Sequence, residues 1–494
     1  MKKIFKISSL AVAFAVIISG TGCNKVSDFG TTNVDPGGTG TPVTSALLTN
    51  VLSGFGGYGT SVSNGHYVQY FAETQYPGNS LYTAPVASFQ SIYYGDLYDL
   101  QNIINKNTDP LTKAAVATAG PNNSQIAIAR ILKAYIYWTI TDRWGDIPYS
   151  QALKGLEKVY LPKYDKQQDI YIDLVKELKE AVAQFDNSSI AVKGDVLMNY
   201  AGTGTATAVN LKWKKFANSM RMIIALRTSK VYPNAGQWAA TEFAAALADA
   251  NGSIALNTEN VSLSYPGSTF NNPWYSSYVT SARKDDAVSK TVTDALTTLS
   301  DPRIASFGTT AVGFPYGLDR AKAVLVATAT IPYILKGAAT PATEPVVIMN
   351  SATVLLARAE AAARGWTTEV AATLYASAVT NAFAQYGYTS TQATTYLAQT
   401  AVAYTTADAI KLISTQRWLA LYPNGQQAWS EWRRTGFPVL TPTIYATNAG
   451  TGGQIPRRYI YGTDEYSLNA DNVKAAVTGL TGGDIADARV WWDK

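Results

Sequence analysis

The chain predicts a mainly α fold, and three observations carry that expectation. Apolar residues recur at helical spacing in segment after segment, Gly or Pro closes these segments, and the later ones are Ala-rich and joined by short links. Short links favour antiparallel helix pairs stacked on one another. The 494 residues are 47% apolar and 15% charged, enough to bury a core and too little charge for bulk disorder. Length alone suggests about three domains of roughly 150 residues. No linker divides the chain after residue 45, however, so one large domain over 46–494 is expected. No repeat of fixed period stands out, which argues against a regular solenoid.

At the N-terminus, Lys2, Lys3 and Lys6 precede an apolar stretch at 10–20. That length suits a signal peptide and falls well short of the ~20 residues a membrane-spanning helix needs. Gly20, Thr21 and Gly22 then lead into Cys23, the only cysteine. The pattern resembles a bacterial lipoprotein signal over 1–22, with Cys23 acylated as the first mature residue. Gly20 stands where an aliphatic residue is usual, and ordinary secretion with Cys23 as a bystander is the alternative. Removing 1–22 takes away three lysines and leaves 37 basic against 35 acidic residues. A near-neutral chain without a basic run carries no footprint for nucleic acid. Residues 23–45, rich in Gly, Thr, Asn and Pro, read as a flexible tether spanning roughly 25 Å. The nearest later candidate for a membrane span, 321–335, is interrupted by Pro332.

Helices are predicted over 124–142, 167–185, 213–228, 241–251, 285–299, 346–364, 369–385, 407–421 and 426–434. In the second, Ile170, Leu174, Leu178 and Val182 lie four apart, with Lys176, Glu177, Lys179 and Glu180 opposite. Irregular segments are predicted at 50–86, 187–209, 260–282, 303–344 and 438–469. Long loops in an ordered protein are often functional, and the Tyr, Trp and Phe within these argue for order.

The composition disfavours several chemistries. A Cys/His zinc site needs about four ligands, and the chain offers His66 and Cys23. No Gly-x-Ser-x-Gly turn accompanies the single histidine. The oxygen-rich run Asp464, Glu465, Asn469, Asp471, Asn472 lacks the spacing of a calcium loop. Among 35 acidic residues no pair is marked as a glycosidase couple. No catalytic residue, metal or cofactor is expected, and the chain reads as a non-enzyme.

Five stretches in order carry a family resemblance: Tyr137 to Tyr149, with Trp144-Gly145-Asp146-Ile147-Pro148-Tyr149; Trp213 to Arg227; Ala357 to Gly365; Gln416 to Gly425, running on through Trp429 and Trp432 to Pro438; and Ile455 to Tyr459 with Glu465, Asn469, Asn472 and the terminal Trp491-Trp492-Asp493-Lys494. Gly462 stands where a Pro is common. Together they resemble the SusD/RagB family of outer-membrane nutrient-binding lipoproteins. The resemblance implies four tetratricopeptide-like helix pairs as a scaffold with long irregular loops packed on it. It also implies a lipid-anchored, surface-exposed location on the outer membrane. There such a protein acts as a lid on a partner SusC-like TonB-dependent transporter barrel and delivers oligosaccharides, or sometimes peptides, for import.

Trp138, Trp144, Trp213, Trp418, Trp429 and Trp432 sit at helix spacing or helix ends, where packing explains them best. Arg433 and Arg434 suit a helix C-terminus and can stack on Trp429 or Trp432. Glu360 and Arg364, four apart, read as a surface pair, and His66 as a polar loop residue. Ligand contacts are expected instead from loop aromatics beside amides: Tyr76, Asn79 and Tyr82 in one loop, and Asn272, Trp274, Tyr275, Tyr278 and Arg283 in another. Sugar rings present C–H faces that aromatic rings cover, while Asn amides donate to and accept from hydroxyls. Tyr outnumbers Phe 31 to 14, a preference for rings that can hydrogen-bond. The same rings can equally serve to pin the loops to the scaffold. The low charge disfavours charged peptides and acidic glycans. The alternatives are the same architecture binding peptides or another nutrient, and a helical-repeat adaptor that binds only protein.

Overall fold

The computed structural model describes residues 43–83, 85–186, 190–327, 330–446 and 452–494. The signal peptide, Cys23 and all but the last residues of the expected tether lie outside them. Helices of ten residues or more are labelled α1 (Thr44–Gly54), α2 (Tyr98–Thr108), α3 (Asn122–Trp144), α4 (Gln167–Gln184), α5 (Ala206–Arg227), α6 (Trp238–Leu247), α7 (Ser351–Ala363), α8 (Ala371–Gln385), α9 (Ala409–Leu421) and α10 (Gly425–Thr435). Thr44 to Lys494 form one compact unit.

Helix α3 shows how the local sequence sets the architecture. Its apolar residues surround the axis, and it is buried on nearly all sides. It stops at Gly145, whose φ of 92° is open to glycine and whose N–H donates to the Thr141 carbonyl at 2.8 Å. Pro148 then holds the chain extended, and Ile147–Pro148 pairs antiparallel with Tyr164–Asp165. Helix α4 buries Ile170, Leu174 and Leu178 and exposes Lys176, Lys179 and Glu180, as its spacing predicts. Helix α3 packs on α4, α5 on α6, α7 on α8, and α9 on α10. Successive pairs touch through α4 and α5, α5 and α7, and α7 and α9. This is the helix-pair scaffold expected from the sequence.

Two predicted helices begin too early. Val346–Met349 is a strand paired with Val261–Leu263, and helix α7 starts only after Asn350, whose side chain accepts from Thr353 N–H at 2.9 Å. Likewise Asp286–Val288 pairs with Phe71–Glu73, and Ser289 caps the helix Lys290–Thr298. The segment expected to be irregular at 50–86 holds the end of α1, the helices Gly56–Gly59 and Val62–Tyr67, and the strand Phe71–Glu73. Helix α2 was not predicted.

The core is aromatic and, unusually, cationic. Trp138, Trp144, Trp213, Trp418 and Trp429 are buried as expected, and Trp432 is partly buried. Arg433 lies between Trp429 and Trp492, its guanidinium carbon 3.6 and 4.6 Å from their ring centroids. Distant motif residues meet here: Tyr459 N–H donates to the Arg143 carbonyl at 2.8 Å, and Trp492 Nε1 to Asp142 Oδ1 at 3.1 Å. Glu360 and Arg364 do not form a surface pair. Glu360 is fully buried, and Arg434 and Arg364 both engage it. The reason is that α7 faces α9 and α5, leaving no solvent side at Glu360. His66 is no loop residue either. It is buried in Val62–Tyr67, a helix that meets α10 closely, since a Cβ on Gly425 would lie 2.2 Å from Gly65 N.

Candidate functional site

The two predicted loops approach each other because their flanking strands pair. Glu73 faces Asp286 in register, and just beyond them Thr74 donates from N–H to the Asp285 carbonyl at 2.8 Å and from Oγ1 to the Lys284 carbonyl at 2.6 Å. The strand ends therefore deliver Gln75 and Tyr76 on one side and Arg283, Lys284 and Asp285 on the other. They line one groove of about 570 Å³, closed by Ala323, Val324, Val326 and Ile331.

Tyr76 is the ring this groove presents, with 52% of its surface exposed. Its hydroxyl accepts from Gln75 Nε2 at 3.1 Å, and the Arg320 guanidinium lies 5.4 Å from the ring centroid. Arg320 opens a four-residue helix capped by Asp319, which accepts from Lys322 N–H at 2.9 Å. Lys322 stands 4.3 Å from the centroid of Tyr445 and also pairs with Asp319. Arg283 pairs with Asp285, whereas Lys284 faces the ring of Tyr333 at 5.9 Å. The groove thus offers a ring, a guanidinium, an ammonium, a carboxylate and an amide within one concavity. That set can cover an apolar face while bonding hydroxyls around it.

Of the residues singled out in the sequence, Tyr76 and Arg283 line this groove. Asn79 is partly buried, and its amide donates to Glu73 Oε1 at 3.0 Å while Ser80 N–H donates to Oε2 at 2.8 Å, so it fixes the loop. Tyr275 is partly buried on the turn Pro273–Tyr275 and does not line the groove. The other four are buried. Tyr82 has no exposed surface, and its hydroxyl meets that of Tyr316 at 3.1 Å. Asn272 caps the turn, accepting from Trp274 N–H at 2.8 Å and donating to the Glu344 carbonyl at 2.8 Å. Trp274 packs against Phe71 and Tyr278 in the core. Tyr278 donates its hydroxyl to the Asp286 carbonyl at 2.9 Å. These rings pin the second loop to the scaffold.

Sequence reasoning missed Arg320, Lys322, Lys284 and Tyr445. The Asp319 cap was the one local signal, and a four-residue helix has no periodicity to reveal it. The oxygen-rich run near 464–472 is spent on structure: Glu465 accepts from Tyr164 and Gln90, and Asn469 Nδ2 donates to the Pro162 carbonyl at 2.8 Å. Among the described residues no group of three or more His, Cys, Asp or Glu could hold a metal ion.

Comparison with known proteins places this geometry. A chitin-binding protein of known structure is similar at 27% identity and a TM-score of 0.75, over 91% of this chain and 100% of its own. A SusD homolog from Bacteroides uniformis is similar at 25% identity and a TM-score of 0.76, over 92% of this chain and 99% of its own. A chitin-binding SusD homolog from Flavobacterium johnsoniae, at 24% identity and a TM-score of 0.74, shares the fold over 91% of this chain and 98% of its own. No curated protein matches the chain. The SusD-like family model, described as starch-binding and associating with the outer membrane, matches residues 37–462. With that match over most of its length and the helix-pair fold around its groove, the chain belongs to the SusD-like family.

Proposed function

We propose that this protein is a lipid-anchored receptor on the outer-membrane surface that binds oligosaccharides without cleaving them and passes them to a SusC-like TonB-dependent transporter barrel. The observation that carries the reading is the exposed ring of Tyr76, braced by Arg320 at the mouth of a groove rimmed with Arg283, Lys284 and Asp285. A sugar ring fits that chemistry: its C–H face lies on the phenol and its hydroxyls reach the charged rim. The family description and the chitin-binding protein at 27% identity support a glycan over other nutrients. Delivery to a barrel, lipidation at Cys23 and exposure at the surface rest on the family resemblance and the N-terminal sequence.

Calorimetry of the purified chain with maltohexaose and chitohexaose tests the binding, and co-purification with a large β-barrel tests the partner. Saturable heat that Tyr76→Ala weakens is the expected result. Hydrolysis of either saccharide, or binding untouched by that substitution, would overturn the reading.

A further inference from the structure

A second groove lies among entirely different residues, between the start of α4 and the C-terminal segment. It encloses about 540 Å³ and is lined by Trp491, Gln168, Lys166, Asp146 and Arg489. The first groove is lined by Tyr76, Gln75, Lys284, Asp285 and Arg283. Both hollows, of nearly the same size, set an aromatic ring beside glutamine, lysine, aspartate and arginine side chains; the second also has Gln167, Asp493 and Lys494 in its wall.

Trp491 is held like a platform. Its neighbours Val490 and Trp492 are buried at 1% and 0% exposure, which fixes the main chain on both sides. Tyr171 and Tyr232 meet its ring edge to face, with centroids at 5.8 and 6.1 Å and interplanar angles of 64° and 67°. Tyr232 is itself braced by Trp238 and by Gln168, whose Nε2 donates to the Tyr232 hydroxyl at 3.0 Å. That bond uses the amide nitrogen of Gln168 and not its carbonyl oxygen, which can accept. Lys166 and Asp146 pair at 2.8 Å, and Arg489 reaches Asp493 at 3.1 Å. Asp493 is buried and also bonded by Lys230 and Arg457, so it is Asp146 that keeps acceptor capacity and Arg489 that keeps N–H donors to spare. A ring fixed in advance binds at low cost in conformational freedom.

We infer that the Trp491 groove is a second saccharide-binding site. The inference rests on the oligosaccharide reading of the Tyr76 groove and extends it. A hexose ring stacks on the indole, and its hydroxyls bond the Gln168 amide, Asp146 and Arg489. A polysaccharide long enough to touch both grooves gains avidity without any new contact, because the second contact is intramolecular.

The test is calorimetry of the full chain with maltohexaose and chitohexaose, short probes that occupy the grooves independently. Two equivalents per chain are expected, falling to one in Trp491→Ala and to one in Tyr76→Ala. Fluorine NMR with 5-fluorotryptophan guards against misfolding of the alanine variant. The Trp491 resonance, assigned by its loss in Trp491→Phe, is expected to shift saturably with saccharide, also in Tyr76→Ala. One equivalent that Tyr76→Ala abolishes, with a silent Trp491 resonance, overturns this site and leaves the first intact. One equivalent lost only in Trp491→Ala supports this site and overturns the first. No binding of either probe overturns both.

Discussion

Arg434 and Glu360, 74 positions apart, meet in the core as a fork: Nη1 donates to Oε1 and Nη2 to Oε2, both at 2.6 Å, with side chains 1% and 0% exposed. Glu431 Oε2 accepts from the same Nη2 at 2.6 Å, and Arg417 Nη1 lies 3.1 Å from that same oxygen. Burial alone would raise both carboxyls. The surrounding guanidiniums outweigh it, holding Glu360 far below the usual carboxylate range and Glu431 down to about 2. Removing one partner strands a buried charge, so Glu360→Gln should cost about 3–5 kcal/mol in urea unfolding. A depressed folded pKa gives stability that is full above the unfolded value of about 4.3 and is lost as pH falls toward the folded one. The wild-type urea midpoint should therefore drop steeply between about pH 5 and pH 2, and that of Glu360→Gln less steeply. Parallel curves would refute the assignment.

Trp274 supplies a test of whether the buried rings of the second loop pack or bind. It is 4% exposed and stacks near Tyr278 at 6.3 Å with an angle of 20°. Trp274→Ala should cost about 3–5 kcal/mol by the cavity it leaves. Trp274→Phe should cost less, and the folded fraction of either variant should bind saccharide as the wild type does. Normal stability with lost binding would restore Trp274 as a ligand contact.

The difference between Trp274 and Tyr76 marks how far the sequence reaches. Helix α4 was legible because four apolar residues spaced by four fix a face without outside help. The strand Val346–Met349 was not, because a short apolar run suits helix or strand equally, and its partner Val261–Leu263 lies far upstream. The same limit applies at the site. Both loops carry rings and amides, but which rings face inward depends on Phe71, a strand residue some two hundred positions before Trp274. Tyr76 and Arg283 were legible as loop residues of suitable chemistry. Their shared groove was not, since it depends on Glu73 pairing with Asp286.

At the groove itself, Tyr76→Ala should weaken saccharide binding about tenfold, the scale of one ring contact worth about 1.4 kcal/mol. Tyr76→Phe keeps the ring and should lose much less. Arg320→Ala frees the ring without removing it, so a loss of about threefold is expected in calorimetry, less than the effect of a direct contact. An Arg320→Ala effect exceeding that of Tyr76→Ala would assign the main contact to the guanidinium.

His66 predicts an opposite dependence on pH. Its Nδ1 lies 3.0 Å from the Val62 carbonyl and its Nε2 3.1 Å from Asp286, so both nitrogens face acceptors and the doubly protonated ring suits the site. Burial alone would lower its pKa. The Asp286 carboxylate and the charge of Glu73 outweigh that, and the net shift is upward. A raised folded pKa contributes stability that is full below the unfolded value of about 6.5 and is lost as pH rises through the folded value. Wild-type Tm should therefore fall as pH rises above about 6.5 by more than that of His66→Gln. Asp286→Asn should flatten the wild-type curve in the same way, and identical curves in all three proteins would count against the charged ring.

The proposed anchor makes the last prediction. Cys23 lies outside the described residues and outside the compact unit Thr44–Lys494. Among the described residues no helix is long and apolar enough to cross a membrane. On the proposed reading, attachment depends on acyl chains at Cys23, and more than one chain is needed for a stable hold, since each buried CH₂ contributes about 0.8 kcal/mol. Replacing Cys23 by Ser removes the acceptor atom and should shift the protein from the membrane to the soluble fraction after a high-salt wash. Because the substitution lies ahead of the folded unit, Tm and saccharide affinity should stay unchanged. Lipid-linked mass on the wild-type N-terminal peptide, absent in the variant, would tie the shift to acylation. A Cys23→Ser protein that stays with the membrane through the wash would place the attachment elsewhere in the chain or in a partner.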